Sequence, residues 1–372
     1  MGKPEYATLF LCGDVMTGRG IDQILPHPSE PRLFEAYASS ARTYVELAEK
    51  VNGVITQPVP YDYVWGDAME EFAYFRPNAR IINLETAITR SADAWPGKGI
   101  HYRMHPDNLA CLTSAKIDCI VLANNHMLDW GRRGLTETVA TLRGAGLRTA
   151  GAGANATAAA APARLDLPQG GRVIVLSYAT GDCGIPPGWG AGDAQPGLNL
   201  LESLSPRQAD RIAWQVEAAR SPGDIVVVSI HWGDNWGYTV PMEQRSFAHR
   251  LIDSCGVDLI HGHSSHHPKA IEVYRGKLVL YGCGDLINDY EGIGGHLEYR
   301  PALGLMYFPT VELQSGRLVR LVLTPTRMRR LRIERAGDMD ADWLLSMLNR
   351  EGSTLDNGFR RQDANHLALS TC

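Results

Sequence analysis

Five short apolar runs in this 372-residue chain each break into a polar cluster, and no other pattern restricts the possible folds as much. The clusters are Cys12-Gly13-Asp14, Asn83-Leu84-Glu85, Asn124-Asn125-His126, His231-Trp232-Gly233 and His261-Gly262-His263. A short continuous apolar run suits a strand buried on both faces. Parallel sheets gather whatever follows such strands along one edge. Helical periodicity over 67–75, 134–145, 206–220 and 247–255 alternates with the strands, so the chain reads as α/β.

The last cluster sits in the densest stretch. Residues 258–289 read DLIHGHSSHHPKAIEVYRGKLVLYGCGDLIND and hold four of the chain's 12 histidines, at His261, His263, His266 and His267. Imidazole titrates near neutrality and ligates metals. His263 is the first ligand candidate and His261 the next, with His266 and His267 shaping the loop or touching substrate. A hydrated loop with no chemistry is the bland alternative. Two β-branched runs joined at Arg275-Gly276 then form a hairpin that delivers Asp285, Asp289 and His296 to the same edge.

Composition excludes several classes. A net charge of -5 gives no basic patch for a nucleic-acid partner. The seven cysteines stand singly, with no CxxC, as in a reduced cytoplasmic protein. The apolar run from Ala7 to Cys12 is too short for a signal-peptide core, and no run approaches the roughly 20 residues of a membrane span. The expectation is a cytoplasmic protein without a membrane anchor. A catalytic domain is expected over 1–327, with a helical extension over 328–372 that becomes disordered after Asn357.

The polar clusters also carry a resemblance. GDVMTGRG (13–20), NLETAIT (83–89), ANNHMLDWG (123–131), HWG (231–233) and HGHSSHHP (261–268) resemble, in order, the motifs of the CapA/PgsA family. These are poly-γ-glutamate capsule proteins built on the calcineurin-like metallophosphatase fold. The resemblance implies a four-layer αββα sandwich with the site at the strand ends. It implies Asp14, Glu85, Asn125, His231 and His263 as metal positions and His126 as the acid/base beside them. Carboxylate, amide and imidazole form a mixed set suited to Mn, Fe, Zn or Mg. Two departures stand out. The family fold's Asp-x-His is Asp14-Val15-Met16 here, and Glu85 stands where an Asp is usual.

Soluble relatives in lasso-peptide gene clusters include an epimerase that inverts the α-carbon of a precursor's C-terminal residue. The resemblance extends to these, and the expected function is a peptide epimerase with a precursor peptide as its substrate partner. That chemistry needs a base on one face of the α-carbon, a proton donor on the other and something to hold the enolate oxygen. Asp14, Cys12 or Glu85 would act from one side and His296 or His126 from the other, with Asn125 or His231 holding the enolate oxygen. Arg19 or Arg103 would pair with a carboxylate, and Trp232 and Trp236 would offer rigid surfaces to the substrate. Two competing readings are a metal-dependent phosphoesterase on the same residues and a capsule-biosynthesis protein that acts as a scaffold.

Overall fold

The computed structural model describes residues 5–355 and 357–370. Its first large sheet contains β1 (Tyr6–Val15), β2 (Ala79–Leu84), β5 (Cys119–Val121) and β6 (Arg148–Ala150), each parallel to the next. On the other side of β1 the sheet continues through β17 (Leu303–Glu312) and β18 (Leu318–Met328) to β21 (Leu367–Leu369) and β20 (Phe359–Arg361), all antiparallel. β16 (Asp285–Ile287) pairs with the end of β1, and β19 (Ile333–Arg335) pairs with β18.

The second large sheet is built on β9 (Arg172–Thr180), β12 (Ile225–His231), β13 (Leu259–His263) and β15 (Lys277–Leu280), again parallel. β8 (Ala163–Asp166), β11 (Leu200–Leu201) and β14 (Ile271–Tyr274) complete it. Two small pairs lie outside, β3 (Ala87–Ile88) with β4 (Arg103–Met104), and β7 (Ala152–Gly153) with β10 (Gly197–Leu198).

Alternation along the strands explains the continuous apolar runs. Leu9 and Leu11 of β1 meet Val173, Val175, Ile225 and Val227 in a core between the two sheets. Phe10 and Cys12 face the other way, against α3 (Ala68–Phe75), α4 (Ala110–Ser114) and α5 (Gly131–Gly144). Ile174, Leu176, Val226 and Val228 pack against α7 (Pro206–Ala219) and α8 (Met242–Ser254). Each such side chain contributes about 1.5–3 kcal/mol by burial. The result is helices, sheet, sheet, helices, the expected αββα sandwich.

The segment 20–67 carries α1 (Gly20–Ile24) and α2 (Arg42–Asn52), and the alanine-rich tract after β7 contains α6 (Ala156–Ala160). The C-terminal expectation needs correction. The boundary at 327 falls inside β18, and the residues beyond it are not a helical appendage. α9 (Asp338–Gly352) places Leu344, Met347 and Leu348 in the core between the sheets, while β19, β20 and β21 join the first sheet. Phe359–Arg361 and Leu367–Leu369 are paired strands where a disordered end was expected.

Candidate functional site

Because β1, β2 and β5 run parallel in one sheet and β9, β12 and β13 in the other, their carboxyl ends open on one edge. Asp14 is aligned with Asn83 on one flank and with Asp285 on the other. Gly13 makes this possible. A Cβ there would lie 1.6 Å from the Gly284 carbonyl oxygen, and Asp14 N donates to that same oxygen at 2.9 Å.

Asp14 is wholly buried, and its Oδ1 accepts from Asn83 Nδ2 at 2.7 Å. Asn124 Nδ2 donates to Asn83 Oδ1 (3.0 Å) and to the Leu84 carbonyl (2.8 Å), fixing the neighbouring loop. Four atoms in this region are sealed from solvent and meet no fixed donor or acceptor, Asp14 Oδ2, Glu85 Oε2, Asn125 Oδ1 and His231 Nε2, the two carboxyl groups having only a proton to share between them. Buried polar atoms are nearly always satisfied. Four exceptions gathered at one edge suit a cation and its ligands, so the residues fit the divalent ion that the fold implies. Asp14, His231 and His263 bring ligand atoms within 4.8 Å of one another, as do Asp14, His266 and Asp285.

The electrostatics follow from burial. Desolvation, reinforced by the nearby Asp285, pushes Asp14 up to about 6. Burial and then Asp14 raise Glu85 well above the ordinary carboxylate range. Burial also drives His231 and His263 far down, so both rings are neutral at pH 7, the form that ligates metals. His126 falls to about 4, chiefly by burial, with Asp129 pulling the other way. Its Nδ1 lies 2.7 Å from Asp129 Oδ2 and 3.0 Å from Lys98 Nζ, while Nε2 faces Glu85 Oε1 at 3.5 Å. Lys98 Nζ also pairs with Asp129 Oδ1 at 2.7 Å.

Asp14, Glu85, Asn125, His126, His231 and His263 therefore share one edge. His261, the second ligand candidate, is spent on structure. Its Nε2 meets the Cys12 carbonyl at 2.6 Å and its Nδ1 meets Ser229 Oγ at 3.1 Å, tying the two sheets together. His266, read as shaping the loop or touching substrate, lies at the site. Its Nδ1 lies 2.9 Å from Asp285 Oδ1, and Asn288 Nδ2 holds the other oxygen at 2.9 Å. Burial lowers the His266 pKa, but Asp285 outweighs it and the net shift is upward. The sequence reading missed Lys98 and Asp129. The only signal for either was position, on a glycine-flanked loop and three residues beyond His126.

Four candidates are corrected. Cys12 packs its thiol into the core under the helices, and burial raises its pKa well above the ordinary value, so it is no base. Arg19 is a buried strut: it donates to Asp289 through Nε and Nη2 and to Glu35 through Nη1 at 3.0 Å. Arg103 donates to the Ser91 and Glu30 carbonyls at 2.9 Å and lies 3.9 Å over the Trp130 ring. Trp232 is buried, with Nε1 donating to the Tyr281 carbonyl at 2.9 Å. All four side chains are buried and held by protein partners. Trp236 stays at the rim, where exposed His296 stacks on it at 4.1 Å between ring centroids, within 8° of parallel. Among the described residues His296 has no hydrogen bond to the strand-end groups.

Two facing sheets flanked by helices, with carboxylate, amide and imidazole groups at the strand ends, define a protein of the metallophosphatase-fold type. The chain belongs to the bacterial capsule synthesis protein family PGA_cap, whose model matches residues 8–290. It is 48% identical to a probable polyglutamine synthesis accessory protein of Mycobacterium tuberculosis, over 94% of this chain and 92% of that one. It is 26% identical to the capsule biosynthesis protein CapA of Bacillus anthracis, over 77% of this chain and 60% of the relative. With the PGA biosynthesis protein CapA of Bacillus subtilis the identity is 25%, over 74% and 62%. The chain thus spans less than two thirds of the Bacillus proteins. Among the described residues no helix is long and apolar enough to cross a membrane.

Proposed function

We propose that this protein serves in the synthesis of a capsule-type or polyglutamine-type polymer, and that its strand-end site performs metal-assisted hydrolysis there. The place in polymer synthesis is supported by the family and by the names of the relatives. The chemistry is supported by one observation, the four sealed ligand-type atoms of Asp14, Glu85, Asn125 and His231 that meet no fixed donor or acceptor. Those residues and His263 would hold the ion. When bound, it would supply Lewis-acid polarisation of a substrate oxygen.

The chain's own groups do the rest. Asp129 and Lys98 fix the His126 ring, so that Nε2 is the nitrogen left to exchange a proton with a leaving group. Glu85, with its pKa raised by burial, faces that nitrogen and can share the proton. Met16 stands where the Asp-x-His pattern has a histidine, which removes one donor from the set.

The test is turnover of p-nitrophenyl phosphate, its bis-ester and an oligo-γ-glutamate by protein loaded with Mn or Zn. His126→Asn should lower kcat by about 10²–10⁴ while leaving metal content unchanged. No turnover of any of the three by metal-loaded protein would defeat the hydrolytic reading.

Epimerisation of a precursor peptide is the second reading, and one observation favours it. Asp14 lies between β2, which leads to Glu85 with His126 beside it from the end of β5, and β16, which carries Asp285 beside His266. Proton-carrying groups therefore flank it on two sides, as inversion of an α-carbon requires. Incubation with a precursor in D₂O would place one deuteron at an α-carbon. A precursor recovered without deuterium would remove this reading.

A further inference from the structure

Two tyrosines from distant parts of the chain meet at the strand ends. Tyr102 precedes β4 and Tyr290 follows β16, and their hydroxyl oxygens lie 3.3 Å apart. The Tyr102 ring packs edge-on against His126 at 4.4 Å between centroids, and the Tyr290 ring against His266 at 5.6 Å. The pair therefore bridges the two flanks of Asp14. Gly18 admits the first ring, since a Cβ there would stand 3.1 Å from Tyr102 Cα and Cβ. Asn288 fixes the second: its Oδ1 accepts from Tyr290 N at 3.2 Å while its Nδ2 holds Asp285.

Counting hydrogens leaves one hydroxyl without a good acceptor. Burial raises both phenols well above the ordinary value, against the pull of the Arg19 charge, so both keep their hydrogens at neutral pH. One hydrogen lies between the two oxygens. If Tyr290 gives it, the Tyr102 hydrogen has no acceptor among the described residues. If Tyr102 gives it, the Tyr290 hydrogen points to Met16 Sδ at 3.8 Å, and a thioether accepts only weakly. The second arrangement is the better one. The Arg19 guanidinium, 4.6 Å over the Tyr102 ring and 5.9 Å from that of Tyr290, favours it by making Tyr102 the stronger donor.

This side of the site is also the one that reaches water. Asp14, His231 and His263 are sealed, whereas His126 and His266 keep a little exposure and Tyr290 is half-buried.

We propose that the Tyr290 hydroxyl donates a hydrogen bond to an anionic oxygen of the substrate, with Tyr102 the positioning residue behind it. The kind of oxygen rests on the hydrolytic reading above. Arriving between His126 and His266, that oxygen replaces the Met16 sulfur as acceptor, and a charged acceptor makes much the stronger bond. Met16 leaves the end of β1 without a donor, and Tyr290 brings one there from beyond β16.

The test is titration of the full chain, loaded with Mn or Zn, with inorganic phosphate. Wild type should bind it saturably, and Tyr290→Phe should weaken that binding at least tenfold with metal content unchanged. With 3-fluorotyrosine placed at position 290, the fluorine resonance should move in step with phosphate occupancy. Tyr102→Phe should shift the same resonance before phosphate is added, because the bond it donates is gone. Absence of phosphate binding, unchanged affinity in Tyr290→Phe, or a resonance indifferent to phosphate overturns the assignment; one indifferent to Tyr102→Phe overturns the positioning role. Turnover is read separately. Its failure while phosphate still binds through Tyr290 would defeat the hydrolytic reading and leave the donor in place.

Discussion

His231 Nδ1 and His263 Nδ1 face each other at 2.7 Å across the ends of β12 and β13. At most one hydrogen fits between them, so at least one ring presents a lone pair there. His263 Nε2 rests on Ser229 Oγ at 2.8 Å, while His231 Nε2 has no partner at all. Adjacent parallel strands in strict register hold this pairing, and rigid strands position ligands better than loops.

Metal binding should therefore depend on His231. His231→Ala, dialysed against Mn or Zn and assayed for bound metal, should lose affinity by more than the roughly 10–100-fold typical of outer partners. Full retention of metal in the variant would take His231 out of the ligand set. The measurement needs no substrate, so it stands apart from the question of which reaction is catalysed.

Arg19 is expected to matter for stability and not for binding. Arg19→Ala leaves Asp289 and Glu35 buried without their cation, a loss of about 3–5 kcal/mol. Urea unfolding measures it. A variant as stable as wild type but impaired in substrate binding would restore Arg19 to the site.

Glu71 sets an acid limit on the fold. Burial alone would raise its pKa, but His366 Nε2 (2.8 Å), Thr324 Oγ1 (2.7 Å) and Arg335 Nε (2.6 Å) outweigh it, and the net shift is downward. A depressed folded-state pKa means stability that is present above the unfolded value of about 4.3 and lost as pH falls through the folded value. Glu71→Gln should cost about 1–3 kcal/mol at pH 7. The gap to wild type should narrow as pH drops below about 4. Denaturation midpoints at pH 7 and at more acidic values check this; a gap that widens in acid would contradict the assignment.

The residues that were legible before folding are those whose setting is local. A strand buried on both faces is apolar along its length, and the polar residue that ends it stands out, as Asp14, Asn125 and His231 do. The misread residues depend on partners remote in sequence. Arg19 looked free because Asp289 lies 270 residues away. Trp232 looked like a loop aromatic because its acceptor is on Tyr281. Cys12 and Asp14 are two residues apart, yet the register shift between Leu11 and Asp14 sends one into the core and the other to the edge. The three-residue strands β20 and β21 are too short to show a period, and Arg360 and Arg361 mask the first of them.

β1 is paired on one side by β17, and Thr8 Oγ1 reaches Thr310 Oγ1 at 2.9 Å across 302 residues of chain. At about 5–20 residues per second, a ribosome takes roughly 15–60 s to make that interval. For that time β1 has no partner on that side, and its apolar faces and open edge are liable to capture by other chains. A truncated transcript would not yield a smaller working version of the protein, because Asp285 and the strands around it arrive late. The group at the centre of the site is synthesised long before the residues that set it in place.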